Sequence, residues 1–107
     1  MSNANHIKMF QAVGDEKRHK ILELLQGGAK TVGEIADELG YLQPQTSKHL
    51  KILHEAGLVR VEAVANKRFY HLEKSGFIAL QNWLSSYIQQ WEDQLDRLEA
   101  HLKEEES

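Results

Sequence analysis

The segment from residue 43 to residue 72 constrains the fold more than any other part of the chain. It opens with QPQTSKHLKILHEAGLV, in which leucines at helical spacing run into an Ala-Gly turn. Two runs of alternating apolar residues follow, and their junction around Asn66 predicts a β-hairpin. The preceding TVGEIADELG has Thr31 and Glu34 at capping-box spacing, which predicts a bracing helix. We therefore expect two consecutive helices and a hairpin in this part of the chain.

Apolar residues at helical spacing predict two further helices before this unit and a long helix after it. The first ends near Gly14, and Asp15 then caps a second helix that stops at Gly27-Gly28. The last helix is predicted to extend from Phe77 to Glu104. The expected fold is mainly α-helical with a small β-hairpin, in the order four helices, two strands and a fifth helix. That order is typical of a winged helix-turn-helix.

The fourth predicted helix, which begins at Pro44, has one apolar and one polar face. At 100° per residue, Thr46, Leu50 and Leu53 lie within about 60° of one another and form the core face. The opposite face carries side chains of the types that bind base edges and phosphates, which predicts a helix for the DNA major groove. The alternative is an ordinary solvated face. The candidate DNA contacts are Gln43, Gln45, Thr46, Ser47, Lys48 and Lys51, with Thr46 assigned to the core face as well.

Lys67 and Arg68 follow the turn of the hairpin, where a wing would meet phosphates or the adjacent minor groove. A basic edge strand that resists aggregation is the alternative. The net charge is −3, but residues 43–74 hold six Lys or Arg against three Glu, and residues 92–107 hold seven acidic residues against two basic ones. Binding depends on the field at the contacting surface. We therefore expect double-stranded DNA as a partner, with the acidic C-terminus lying away from it.

The last helix carries an apolar seam from Leu84 to Leu102, in which successive members are spaced 4, 3, 4, 3 and 4 residues apart. Such a helix is too long to bury against the preceding residues alone, so a second copy of the chain is the expected partner. We expect residues 1–74 to form a headpiece and residues 75–107 a dimerisation helix. A small-molecule pocket lined by the aromatic residues is the alternative. The candidate interface residues are Phe10, Trp83, Leu84, Tyr87, Ile88, Trp91, Leu95 and Leu98.

Other functions find little support in the sequence. There is no cysteine, and no constellation typical of catalysis stands out, so neither an enzyme nor a cofactor is expected. Six histidines raise the possibility of a metal site, but His49 and His54 lie about 140° apart on a helix. His101 with Glu104 or Glu105 is only half a site, so no metal is expected. No run approaches the length of a membrane span and no signal peptide is evident, which predicts a cytoplasmic protein without a membrane partner.

Four stretches resemble the ArsR/SmtB family of bacterial winged-helix repressors: FQAVGDEKRHKILELLQGG, TVGEIADELG, QPQTSKHLKILHEAGLV and NKRFYHL. They cover roughly residues 8–72. The resemblance implies a homodimer whose first and last helices form the interface, and repression of the protein's own or neighbouring genes. It also implies DNA-reading roles for Gln43, Gln45, Ser47 and Lys48, and a wing role for Lys67-Arg68.

The chain departs from the family pattern at its sensor positions. The family's thiolate sensor lies in the third helix, where residues 31–37 contain no cysteine, and the last helix resembles a branch without recognised metal ligands. Leu42 occupies the usual serine cap of the reading helix. These departures imply a repressor that is released by something other than metal, or one that is controlled by its own concentration.

Three functions therefore remain open from the sequence. The favoured one is a dimeric repressor that binds a pseudo-palindromic operator, with half-sites about 10 bp apart. The second is a winged-helix protein-interaction module whose last helix binds a foreign helix. The third is a metal-responsive repressor with an unrecognised site.

Overall fold

The computed structural model describes the backbone of residues 2–106 and the side chains of residues 6–105. The chain forms five helices and one two-stranded antiparallel sheet within these residues, in the predicted order. The elements are α1 (Ser2–Val13), α2 (Glu16–Leu25), α3 (Val32–Leu39), α4 (Gln43–Glu55), β1 (Val59–Val64), β2 (Lys67–Leu72) and α5 (Lys74–Glu106).

Local capping determines where the early helices begin, as the sequence predicts. The side chain of Asp15 accepts a hydrogen bond from the backbone N–H of Arg18 and caps α2. Thr31 and Glu34 form the expected reciprocal capping box at the start of α3. Helix α3 then ends at Gly40, which adopts the left-handed conformation.

The core lies where α1 to α4, β1 and the first turns of α5 meet. Leu24 and Leu39 pack at the edge of this core and are only partly buried. The most deeply buried members come from α1, α2, α3, α4 and the turn before β1, so the helix-turn-helix pair packs on one hydrophobic centre. The buried apolar residues are Met9, Ala12, Ile21, Leu22, Leu25, Ile35, Ala36, Leu50, Leu53, Ala56, Leu58, Val59 and Leu80.

An isolated β-bridge between Lys30 and Tyr70 connects the hairpin to the rest of the domain. β1 and β2 pair from Val59 opposite Leu72 to Val64 opposite Lys67, so the turn falls at Ala65-Asn66. Ala65, rather than Asn66, takes the positive φ of 56°. On the other edge of β2, the backbone N–H of Tyr70 donates to the carbonyl of Lys30 at 2.8 Å, and the N–H of Lys30 donates to the carbonyl of Tyr70 at 3.2 Å. The linker between α2 and α3 therefore fixes the orientation of the hairpin.

Helix α5 begins at Lys74, three residues before the predicted start at Phe77, and continues to Glu106. The sequence suggests a loop there because Ser75 and Gly76 are poor helix formers. Packing overrides this tendency. The backbone N–H of Glu73 donates to the carbonyl of Leu58 at 2.8 Å, and Gly76 lies so close to the Gly57 carbonyl that a methyl group would overlap with it.

Most of α5 projects away from the domain. The radius of gyration is 19.5 Å and the longest dimension is 72 Å, whereas a compact chain of this length has a radius of gyration of about 13 Å. All residues from 84 to 105 are exposed. No helix in the part of the chain that the structure describes is both long enough and apolar enough to span a membrane.

Candidate nucleic-acid interface

Helix α4 lies on the domain with its apolar face inward and its polar face in solvent. Leu50 and Leu53 are completely buried. Gln45, Lys48 and Lys51 are exposed because they lie on the opposite face, whereas Ser47 lies on its flank and Gln43 is the first residue of the helix. The exposed members are Gln43, Gln45, Ser47, Lys48 and Lys51.

Thr46 is the exception among the predicted DNA contacts, and its inclusion in that set is wrong. Its side chain is fully buried, and its hydroxyl donates to the carbonyl of Leu42 at 2.9 Å. Leu42 is the N-cap residue of α4 but has no side chain that can cap the helix, as its replacement of the usual serine implies. Thr46 instead bonds from inside the first turn, in keeping with its place on the core face.

Residues of the β1–β2 hairpin, which is the wing, and residues of α4, which is the candidate DNA-reading helix, line the same depressions. Lys67, Arg68 and Gln43 border a shallow groove of about 610 Å³, together with the N-terminal turn of α3. Arg68 also lines a second groove of about 260 Å³ with Ser47 and Lys51. The two grooves, which share Arg68, therefore bring Gln43, Ser47 and Lys51 together with the wing, whereas Gln45 and Lys48 line neither groove.

The cations of this surface form no direct ion pair with the described residues. Within residues 6–105, none of Lys48, Lys51, Lys67 and Arg68 lies within ion-pair distance of a carboxylate. The neighbouring cation Lys30, in contrast, is paired with Glu38 at 3.0 Å. Unpaired, exposed Lys and Arg side chains are suited to phosphate oxygens.

Glu34 borders the groove next to Lys67 and Arg68. Its carboxylate accepts a hydrogen bond from the backbone N–H of Thr31 in the capping box of α3. Hydrogen bonds from the backbone and the hydroxyl of Thr31 hold the pKa of Glu34 below its usual range, and the charges of Lys30 and Lys67 lower it further. The carboxylate thus stays ionised, caps α3 and balances part of the charge of Lys67.

An arginine beneath the reading helix was not foreseen from the sequence. The Nε of Arg18 donates to the carbonyl of Ala12 at 2.7 Å, and Nη2 donates to the carbonyl of Gln11 at 3.1 Å. Its Nη1 lies 3.3 Å from Nδ1 of His49 on α4. His49 is half-buried, and Arg18 is its hydrogen-bonding partner.

The predicted dimer residues fall into two groups. Trp83 is half-buried and stacks within its own chain, with ring centroids 4.8 Å from Phe10 and 4.6 Å from Tyr87. Leu84, Ile88, Trp91, Leu95 and Leu98 form an exposed apolar stripe, in which Trp91 is 67% exposed. Phe10, Trp83 and Tyr87 border a depression of about 310 Å³. Trp91 does not line this depression.

The histidines are dispersed in the structure. His101 pairs with Glu105 one turn later, at 3.1 Å, and His19 pairs in the same way with Glu23 at 2.7 Å. No group of three or more potential metal ligands occurs among the described residues. The half-site on α5 therefore receives no further ligand from the described part of its own chain.

The helix pair, the wing and the exposed polar face of α4 define a winged helix-turn-helix protein. The sequence model of the arsR family of bacterial regulatory proteins matches residues 15–61. The chain is 32% identical over 87 residues to the transcriptional repressor SdpR of Bacillus subtilis, an alignment that covers 81% of this chain and 97% of SdpR. The chain therefore belongs to the arsR family, and it is a transcriptional regulator rather than an enzyme.

Solved structures agree with this assignment. The crystal structure of an ArsR family transcriptional regulator has a TM-score of 0.75 and 30% identity, covering 84% of this chain and 93% of that one. The homodimeric winged helix-turn-helix domain of Mb0332 from Mycobacterium bovis has the same fold, with a TM-score of 0.65 and 22% identity. That match covers 78% of this chain and 79% of the other.

Proposed function

We propose that the protein is a homodimeric transcriptional repressor that acts in the cytoplasm on its own or neighbouring genes. Its target is a pseudo-palindromic operator in double-stranded DNA, with α4 lying in the major groove. The observation that carries this proposal is the surface formed by the polar face of α4 and the basic wing. Its lysines and arginine are exposed and have no carboxylate partner among residues 6–105.

The residues of this surface divide by chemistry into two roles. Gln45 and Ser47 project from the first turn and a half of α4 and have the donors and acceptors needed for base edges. Lys67 and Arg68 lie on the wing and supply charge for phosphates or the adjacent minor groove. Gln43, Lys48 and Lys51 extend the same surface and contribute further contacts.

The exposed stripe of α5 supports a homodimer. Residues 75–107 are proposed as the dimerisation helix and residues 1–74 as the headpiece, with Phe10 adding to the interface. The stripe extends through Leu95 and Leu98 and is too apolar and too long to remain in water without a partner. The homodimeric state of the Mycobacterium bovis domain, which has the same fold, is consistent with this arrangement.

Release from DNA is proposed to need a signal other than a metal bound at the family's thiolate position. The residues at that position, 31–37, contain no cysteine. In this structure they instead include the capping box that starts α3.

Selection of bound fragments from random duplexes, with and without divalent metals, tests the proposal directly. The expected result is a two-fold symmetric motif with half-sites about 10 bp apart, bound by a species that sediments at twice the chain mass. Affinity should fall steeply as salt is raised, because phosphate contacts release counterions. An unchanged fragment pool, or retention of a foreign helical protein in place of DNA, would favour the protein-interaction module that the exposed α5 also suits.

A further inference from the structure

The second groove of the proposed DNA surface, of about 260 Å³, lies between α4 and the hairpin. Its side chains from α4 stand at positions i, i+3, i+4 and i+7, so they share one side of the helix. Its side chains from the hairpin share one face of the sheet, because they are two positions apart or directly paired. The lining residues are Ser47, Leu50, Lys51, His54, Val61, Arg68 and Tyr70.

His54 is the histidine that lines this groove, and its imidazole has no partner in the described chain. The side chain is exposed near the end of α4. Within residues 6–105 it forms no side-chain hydrogen bond and no ion pair. Both ring nitrogens are therefore available to a ligand that enters the groove.

No carboxylate lines the groove among the residues that the structure describes. Glu55 follows His54 directly but lies about 100° further round the helix, where it lines a different depression bordered by α1. Glu62 on β1 lies on the opposite face of the hairpin, and it is paired with His71 at 3.0 Å. The charged side chains in the groove are thus cationic, which suits an anion.

The position of the groove identifies that anion. In B-form DNA a sugar-phosphate strand separates the major groove from the minor groove. Helix α4 is proposed to lie in the major groove, while Lys67 and Arg68 reach phosphates or the adjacent minor groove. The strand between the two DNA grooves must then pass between α4 and the hairpin, where Lys51, His54 and Arg68 are exposed.

We propose that the groove between α4 and the hairpin receives this phosphate strand, and that His54 binds one of its phosphates in the protonated form. The inference rests on the proposed function and adds a contact that makes operator binding depend on pH. Imidazolium donates from both nitrogens and carries a charge, so it binds phosphate more strongly than neutral imidazole does.

The direction of the pH dependence follows from the charges around the imidazole. The titratable and charged groups that face His54 across the groove are Lys51, Arg68 and Tyr70. Side chains of these three types do not ordinarily change charge between about pH 5.5 and 8, whereas histidine does. A phosphate brings negative charge to the groove and favours the protonated imidazole. DNA binding should therefore take up protons and become tighter as the pH falls.

Operator affinity as a function of pH tests this contact. Fluorescence anisotropy of the full-length protein on the selected operator would be measured between about pH 5.5 and 8 at constant ionic strength. Wild-type affinity should rise about fivefold for each subunit as the pH falls, the difference between a charged and a neutral hydrogen bond. His54→Gln, which removes the titrating group from an exposed position, should lose this rise.

His54→Lys provides the complementary variant, because its charge does not change in this pH range. It should bind tightly at both ends of the range. The slope of log affinity against log salt should be steeper for wild type at about pH 5.5 than at pH 8, by about 0.9 for each subunit. In His54→Gln and in His54→Lys the slope should not depend on pH. A purely structural role of His54 would not produce this pattern.

Two other histidines serve as matched controls. His71→Gln changes a residue on the same hairpin whose imidazole is paired with Glu62, and His19→Gln changes an exposed residue of α2. Neither residue lines the groove, so both variants should keep the wild-type pH dependence. His49 is unchanged in every variant, and any contribution from it would persist in His54→Gln.

The outcomes separate this contact from the proposed function. If wild-type affinity does not change with pH, or if the pH dependence persists in His54→Gln, the inference fails and the repressor stands. An equal loss of affinity in His54→Gln at both ends of the pH range would also overturn it, since the contact would then not require the charge. A wild-type protein that selects no DNA at any pH would refute both.

Discussion

Arg18 and His49 join the α1–α2 corner to the reading helix, with Nη1 of the arginine 3.3 Å from Nδ1 of the histidine. A guanidinium can only donate, so Nδ1 of His49 is the acceptor in this contact. The same guanidinium donates to the carbonyls of Gln11 and Ala12 at the end of α1. One side chain thus connects a helix of the proposed dimer interface to the helix proposed to read DNA.

Replacing Arg18 with Met should reduce the free energy of unfolding by about 2 kcal/mol, since the main-chain carbonyls of α1 lose charge-assisted partners. Urea unfolding measures this effect. Lys20→Met is the control, because the exposed Lys20–Glu16 pair at 3.6 Å contributes little. A double-mutant cycle with His49→Leu should show a coupling of about 0.5 kcal/mol or more, and strictly additive effects would mean that the 3.3 Å contact contributes nothing.

Asp15 should make the stability of α2 depend on acid pH. The hydrogen bond from the backbone N–H of Arg18 lowers the pKa of Asp15 below its usual value, and the charge of Arg18 lowers it further. Because the pKa is depressed in the folded state, the stabilisation is complete above the unfolded pKa of about 3.9. It is lost as the pH falls through the folded pKa.

Asp15→Ala should therefore cost about 1 kcal/mol at neutral pH, and the difference from wild type should shrink below about pH 4. Thermal unfolding between pH 2 and 7 checks this. Asp15→Asn is the matched control, since its amide oxygen still caps α2 but does not titrate in this range. A difference between Asp15→Ala and wild type that stays constant down to pH 2 would contradict the role assigned to the carboxylate.

Gly76 should be intolerant of any side chain. Its Cα faces the carbonyl of Gly57, and a methyl group there would overlap with backbone that cannot easily move. We expect Gly76→Ala to destabilise the fold by about 1 to 3 kcal/mol, even though alanine favours helices. Gly33→Ala is the control: its methyl would lie 4.0 Å from the Thr31 hydroxyl, and the change should stabilise α3 by up to about 1 kcal/mol. Equal effects of the two changes in urea unfolding would refute this explanation.

Short-range rules explain what could be predicted from the sequence. The caps at Asp15 and Thr31, the two faces of α4 and the hairpin turn all depend on residues a few positions apart. They were confirmed because each local preference agrees with the tertiary packing. At Thr46, helical periodicity predicted a core position and the polar side chain predicted a contact with DNA. The residue is fully buried, so the prediction from periodicity is the correct one.

Contacts between distant residues explain what could not be predicted. Arg18 and His49 are 31 positions apart, and the Lys30–Tyr70 bridge joins a linker to a strand much later in the chain. The early start of α5 depends on Gly76 packing against Gly57, which no local propensity encodes. Within the proposed DNA surface, the sequence identifies the candidate side chains, but only the fold shows that the wing and α4 share the same grooves.

The two proposed roles within the DNA surface predict two different kinds of binding defect. Replacing both Lys67 and Arg68 with Ala should weaken binding to all sequences alike. It should also reduce the slope of log affinity against log salt by about 2, since two phosphate contacts are lost. Gln45→Ala should instead leave the slope unchanged and reduce discrimination at one base pair by about 1 to 3 kcal/mol.

Lys103→Ala, at the far end of α5, is the control for loss of charge alone and should alter neither the salt slope nor the discrimination between bases. Fluorescence anisotropy on the selected operator and on single-base variants, at several salt concentrations, separates these outcomes. If both classes of variant bind like wild type at low and at high salt, α4 and the wing do not have the roles proposed for them.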